Sequence, residues 1–121
     1  MPGLGGRKFS EQHARNTARV LNEINPQYIR SRPFYPWTGT PIHDEVARGD
    51  IELLSAVEQL QEIKQLVEGL EVTSKVCFDH AGNFWKNSRG GYLFSHGYEG
   101  YQFPEKKPDV LALIEEGLSV A

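Results

Sequence analysis

Asp79, His80 and Asn83 stand directly after the most β-prone run of the chain, residues 72–78. In α/β sheets ligands collect beyond the carboxyl ends of the strands, so polar groups at this point are in a functional position. A carboxylate can orient an imidazole, and an imidazole can act as acid, base or hydrogen-bond donor. Asp79 and His80 are therefore catalytic candidates, with Asn83 a candidate for binding. The same residue types also make a turn held by Asp and Asn side chains, and both readings stand. Arg30 and Arg32 lie two apart in a second β-prone run, residues 28–32, so both guanidiniums leave the same face. A pair of this kind suits a carboxylate or phosphate; it suits equally a solvated face with ion pairs to Asp or Glu. Gly3, Gly5 and Gly6 permit close backbone approach to an anion just ahead of a helix, or else belong to a flexible terminus. His13, His43 and His96 are scattered, and no metal site is expected from them. Cys77, alone in its chain, excludes an internal disulfide and reads as a core residue before a nucleophile.

Those residues need elements to hold them. Ser10 is the predicted N-cap of a helix over 11–24, with Ala14, Ala18, Leu21 and Ile24 as its apolar stripe. Asn25-Pro26 ends it, because the residue before proline is driven out of the α region. The strand at 28–32 follows and is ended by Pro33. Thr40-Pro41 opens a short helix that closes at Gly49. Ser55 and Glu58 form a capping box for a helix over 56–69, striped by Leu60, Ile63 and Val67. After the strand at 72–78, residues 79–104 mix glycines with aromatics and hold no period. They are read either as an ordered aromatic loop or as a hairpin around Gly90-Gly91. Pro108 opens a last helix with Val110, Leu111, Ile114 and Leu118 on its apolar side. Alternating helices and strands predict an α/β class with parallel pairing. Two strands are few for a closed sheet, which points to a piece of something larger or to an oligomer.

The 121 residues suffice for a single domain, 1–121, with one core. A formal charge of −3 gives no electrostatic case for nucleic acid or an anionic membrane. No apolar run approaches a membrane span and no basic-then-apolar leader opens the chain, so a cytoplasmic location is the expectation. The aromatics of residues 84–103 are expected to pack rather than to stack on bases.

Two stretches together carry a resemblance. Pro2-Gly3-Leu4-Gly5-Gly6, then His13-Ala14, Thr17-Ala18-Arg19-Val20-Leu21 and Asn22-Glu23-Ile24-Asn25-Pro26, lead into Tyr28-Ile29-Arg30-Ser31-Arg32. Gly39-Thr40-Pro41, Gly49, Glu52-Leu53-Leu54-Ser55, Glu58, Asp79-His80 with Asn83, and the helix from Pro108 to Leu118 continue the pattern. The whole resembles the second half of radical-SAM iron–sulfur oxidoreductases related to oxygen-independent coproporphyrinogen oxidase. The resemblance implies a partial (β/α) barrel-like fragment with few parallel strands, flanking helices and a C-terminal aromatic, glycine-rich loop. It implies S-adenosylmethionine and a 4Fe-4S cluster as cofactors of full-length relatives, with Gly3, Gly5, Gly6, Arg30, Arg32 and Asn83 toward the cofactor. The three-cysteine CxxxCxxC motif is absent, and one thiolate cannot hold such a cluster. With Met1 just ahead of the glycine segment, the chain reads as a truncated frame or a fragment. It is expected to carry no cofactor itself, to be inactive alone, and to partner either its own copies or the missing N-terminal half. A free-standing binding or assembly module is the alternative, and a small enzyme built on Asp79 and His80 a third.

Overall fold

A computed structural model describes residues 1–79 and 82–121. Seven elements follow in order: α1 (Ser10–Ile24), β1 (Tyr28–Arg30), α2 (Pro41–Ala47), α3 (Ala56–Gly69), β2 (Lys75–Cys77), β3 (Tyr101–Gln102) and α4 (Lys107–Ser119). The fold is mixed α/β, with four helices and one small sheet of order β1-β2-β3 among the described residues. β1 and β2 run parallel, Tyr28 opposite Lys75 and Arg30 opposite Cys77. β3 joins β2 antiparallel.

Three local expectations need correction. Ser10 is not the cap of α1: Phe9 holds that position, and the Ser10 hydroxyl donates instead to Glu62 Oε1 at 2.8 Å. The hydroxyl is directed at a tertiary carboxylate rather than at the first turn of its own helix. The strands are shorter than expected, three residues each: β1 ends at Arg30, ahead of Pro33, and β2 lacks residues 72–74 and Phe78. The sheet has a third strand, inside the segment read as loop or hairpin. A two-residue strand is too short to display a period of 2.

Other boundaries follow from the chemistry foreseen for them. Asn25 adopts the left-handed conformation (φ 45°) and closes α1 with its N–H on Leu21 O. Its side chain then accepts from the N–H of Thr73 at 2.9 Å, while Asn22 Oδ1 accepts from Glu71 N–H at 2.7 Å. The end of α1 is thereby tied to the segment entering β2. The Ser55–Glu58 capping box is fully formed at α3. Ala14 and Ala18 are the buried residues of α1, and Ala18 Cβ lies 3.0 Å from where a side chain at Gly69 would begin. Small residues on both helices let α1 and α3 approach closely. Lys107 Nζ donates to the carbonyls of Glu68 and Leu70, capping the end of α3 from the start of α4.

Cross-strand partners share a face, so Ile29, Val76 and Tyr101 form the side turned to the helices. The core there gathers Leu60, Ile63 and Val67 of α3 with Val110 and Ile114 of α4. The aromatic segment closes it. A short hairpin brings Lys86 against Tyr92, and Phe94 stacks on Phe78 at 4.0 Å between ring centres. Trp85, Phe94 and Phe103 are buried, so much of this segment is core. The opposite sheet face carries Tyr28, Arg30 and Lys75, all reached by solvent.

Candidate functional site

Because β1 and β2 are parallel, their carboxyl ends share one edge of the sheet, and the loops leaving them meet there. Arg30 ends β1, and its Nη1 lies 2.8 Å from Asp79 Oδ2, two residues past β2. The Asp79 side chain is mostly covered, whereas Arg30 keeps 46% of its side chain exposed. Hydrogen bonding to Asp79 raises the pKa of the guanidinium further. Arg30 Nη2 also donates to Tyr98 O at 3.3 Å, and its guanidinium lies over the rings of Tyr28 and Tyr98 at 5.4 and 5.8 Å. Lys75 pairs with Glu99 alongside, which lowers the carboxyl pKa of Glu99.

Cys77 sits under this cluster, in register with Arg30 and sealed from solvent. Its Sγ lies 3.2 Å from Tyr98 O, and burial pushes the thiol pKa up. The sulfur is thus held as a neutral thiol, the state least suited to nucleophilic attack or metal ligation. Gly100 makes this packing possible. At φ 58° it lies so close that a Cβ would meet the Val76 carbonyl and stand 2.7 Å from Cys77 Sγ.

Asn83 links the two loops: its Nδ2 donates to Ser31 O at 2.9 Å. Both residues are buried, and among the described residues neither Asn83 Oδ1 nor Ser31 Oγ has a hydrogen-bond partner. Arg32 is exposed and makes no ion pair among the described residues. His80 lies outside the described residues. Just past the same rim opens a cleft of about 560 Å³, lined by Pro33, Tyr35 and Pro36 after β1, Phe84 after β2, and His43 and Val46 of α2. The first turn of α3 faces it through Ala56 and Gln59.

The glycine segment is ordered by a residue that sequence reasoning passed over. Glu62 of α3 is 3% exposed and accepts the Gly3 N–H at 2.7 Å and the Ser10 hydroxyl at 2.8 Å. Gly3 and Gly6 take positive φ, and Gly6 rests against Ile51 and the Glu52 carbonyl, each 3.0 Å from a would-be Cβ. The Gly3 amide is thus spent on an internal carboxylate. Pro2 O accepts from Phe34 N–H at 2.8 Å, which brings the segment to the loop after β1 and so to the rim. Burial lowers the pKa of the Met1 ammonium, opposed by the charge of Glu62. The signal for Glu62 was present: a carboxylate beside Ile63 and four before Leu66, on the border of an apolar stripe.

Chemically, the rim offers two cations, one carboxylate and neighbouring aromatic faces. That set fits a ligand end bearing both a carboxylate and an ammonium. It does not fit a cluster, since one buried, neutral thiol replaces three thiolates. Comparison with family models, with curated proteins and with solved structures finds no match to this chain.

Proposed function

We propose that the chain is the C-terminal part of a radical-SAM iron–sulfur oxidoreductase, supplying part of the S-adenosylmethionine and substrate side of a (β/α) barrel. The observation that carries the reading is the Arg30–Asp79 pair, set where the parallel strands β1 and β2 end. The parallel pairing across a helical crossover suits two neighbouring barrel units, and Pro2 and the glycines approach the same rim through Phe34. Arg30 and Arg32 would take the carboxylate of the cofactor's amino-acid end and Asp79 its ammonium. When bound beside a reduced cluster, S-adenosylmethionine supplies a carbon-centred radical. This chain's residues contribute only binding and orientation, and the cluster belongs to a partner polypeptide carrying the three cysteines. Alone, the chain is inactive.

The reading is tested by titrating S-adenosylmethionine into the chain by calorimetry. Binding that disappears in Arg30→Ala and in Asp79→Ala, with the fold retained by circular dichroism, is the expected result. Equal binding by both variants, or none by the wild type, removes the rim from the cofactor site and leaves the binding-module alternative.

A further inference from the structure

β1 closes one side of the sheet. Its β2-facing groups are engaged: Gln27 O accepts Lys75 N–H, and Ser31 N–H donates to Cys77 O. In a parallel ladder alternate residues face the neighbour, so the main-chain groups of Tyr28 and Arg30 face outward. Among the described residues nothing bonds to them. Next to this edge, the outer side of α1 exposes Val20 (48%) and Ile24 (63%). Beneath it, a cavity of about 300 Å³ runs between α1, β1 and α3, floored by Leu21, Ile29, Ile63 and Val67. Ser31, whose buried hydroxyl has no partner among the described residues, borders the cavity. Thr17 and Leu21 line both that cavity and the shallow groove beside Val20, so edge, flank and void are one surface.

We propose that this surface is a homodimer interface, in which β1 pairs antiparallel with β1 of a second copy across a two-fold axis at Ile29. An occupant must bring an extended strand with an apolar helix on the same side, and a second copy brings both. The register is self-complementary. Tyr28 falls opposite Arg30 of the copy, a cation beside an aromatic ring, and repeats the contact already made within one chain at 5.4 Å. Ile29 meets its own equivalent on the helix side, and no two like charges oppose each other. The outward N–H and C=O groups of Tyr28 and Arg30 are all paired in this arrangement. α1 of each copy then covers Val20 and Ile24 of the other. The dimer rests on the edge geometry of the chain by itself; in a completed barrel a strand of the partner polypeptide would take the same edge of β1, so barrel completion and dimerisation exclude each other.

Light scattering coupled to size exclusion, with sedimentation equilibrium, reads the outcome on the full chain. The mass is expected to climb from 13.7 kDa toward twice that value as concentration rises. Tyr28→Pro removes an outward donor while sparing the groups that face β2, and Val20→Glu charges the helix flank. Each should weaken the dimer at least ~10-fold, whereas Val120→Glu, at an exposed site on another helix's end, should not. Val20→Glu keeps the test decisive if Tyr28→Pro disturbs the strand, since Val20 is a solvent-facing helical position. A wild-type chain that stays at 13.7 kDa up to about 300 μM overturns the proposal, as does a dimer indifferent to Val20→Glu.

Discussion

Replacing Glu62 by alanine tests how the glycine segment is held. The carboxylate takes one hydrogen bond from a buried main-chain N–H and one from a hydroxyl, at 2.7 and 2.8 Å. A hydrogen bond to a charged group contributes about 1.5–3 kcal/mol, and an unsatisfied buried donor forfeits its solvation outright. Ser10 is only half-buried and can turn to water, but Gly3 cannot. The expected loss is therefore about 2–4 kcal/mol, dominated by the Gly3 amide. At roughly 3–5 °C per kcal/mol for a domain of this length, Tm should fall by about 6–20 °C. Glu62→Gln keeps one acceptor and should lose less. Thermal melts by circular dichroism give the first number, and amide exchange gives the local one. In the alanine variant the Gly3 amide should exchange roughly 30-fold faster, the factor that 2 kcal/mol represents. A melting point lowered by less than about 2 °C, with Gly3 still protected, would refute the reasoning.

Four further outcomes follow from the same contacts. Gly100→Ala should cost well over ~1 kcal/mol in urea unfolding, since it combines positive φ with collision against Val76 O and Cys77 Sγ; near-wild-type stability would contradict that packing. Arg7 grips Glu58 through Nε and Nη2, both at 2.9 Å, and, together with the Ser55 capping bonds, holds its pKa at about 2, below the ordinary 4.5. Because the folded value is depressed, the stabilisation is complete above pH 4.5 and is lost as pH falls toward 2. The gap in Tm between wild type and Arg7→Ala should close over that interval, and a gap independent of pH would exclude the ion pair as its source. Cys77 should react with a thiol reagent far more slowly in the native state than in urea; equal rates would mean that the sulfur is accessible. Anaerobic reconstitution of the chain with iron and sulfide should leave no stoichiometric cluster, read by iron analysis and visible absorption.

What could be read in advance was local chemistry with a fixed spacing. The Ser55–Glu58 box, the Thr40-Pro41 start and the stop at Asn25-Pro26 each rest on neighbouring groups, and each occurs as foreseen. Parallel pairing of β1 and β2 follows from helix–strand alternation, and it places Arg30 and Asp79 together. The failures came where distant residues decide. Ser10 was assigned to its own helix but serves Glu62, fifty-two residues away. β3 exists because Gly100 lets the chain approach β2, a tertiary fit with no periodic trace. The aromatic segment looked irregular because its side chains fill a core in three dimensions rather than repeat along an element. Glu62 itself was legible as a charge on a stripe border, yet its partners lie across the molecule.

The most direct measurement of the functional reading is radical cleavage of S-adenosylmethionine by a reassembled pair. The chain would be co-expressed with a polypeptide carrying the three-cysteine half of a radical-SAM barrel, reconstituted anaerobically with iron and sulfide, reduced, and assayed for 5′-deoxyadenosine by mass spectrometry. Product only when both polypeptides are present, falling sharply with Arg30→Ala while the cluster content holds, is the predicted result. Product from the cysteine-bearing polypeptide alone at the same rate, or none from a pair whose cluster is fully loaded, would contradict the proposal that this chain serves the cofactor side of the barrel.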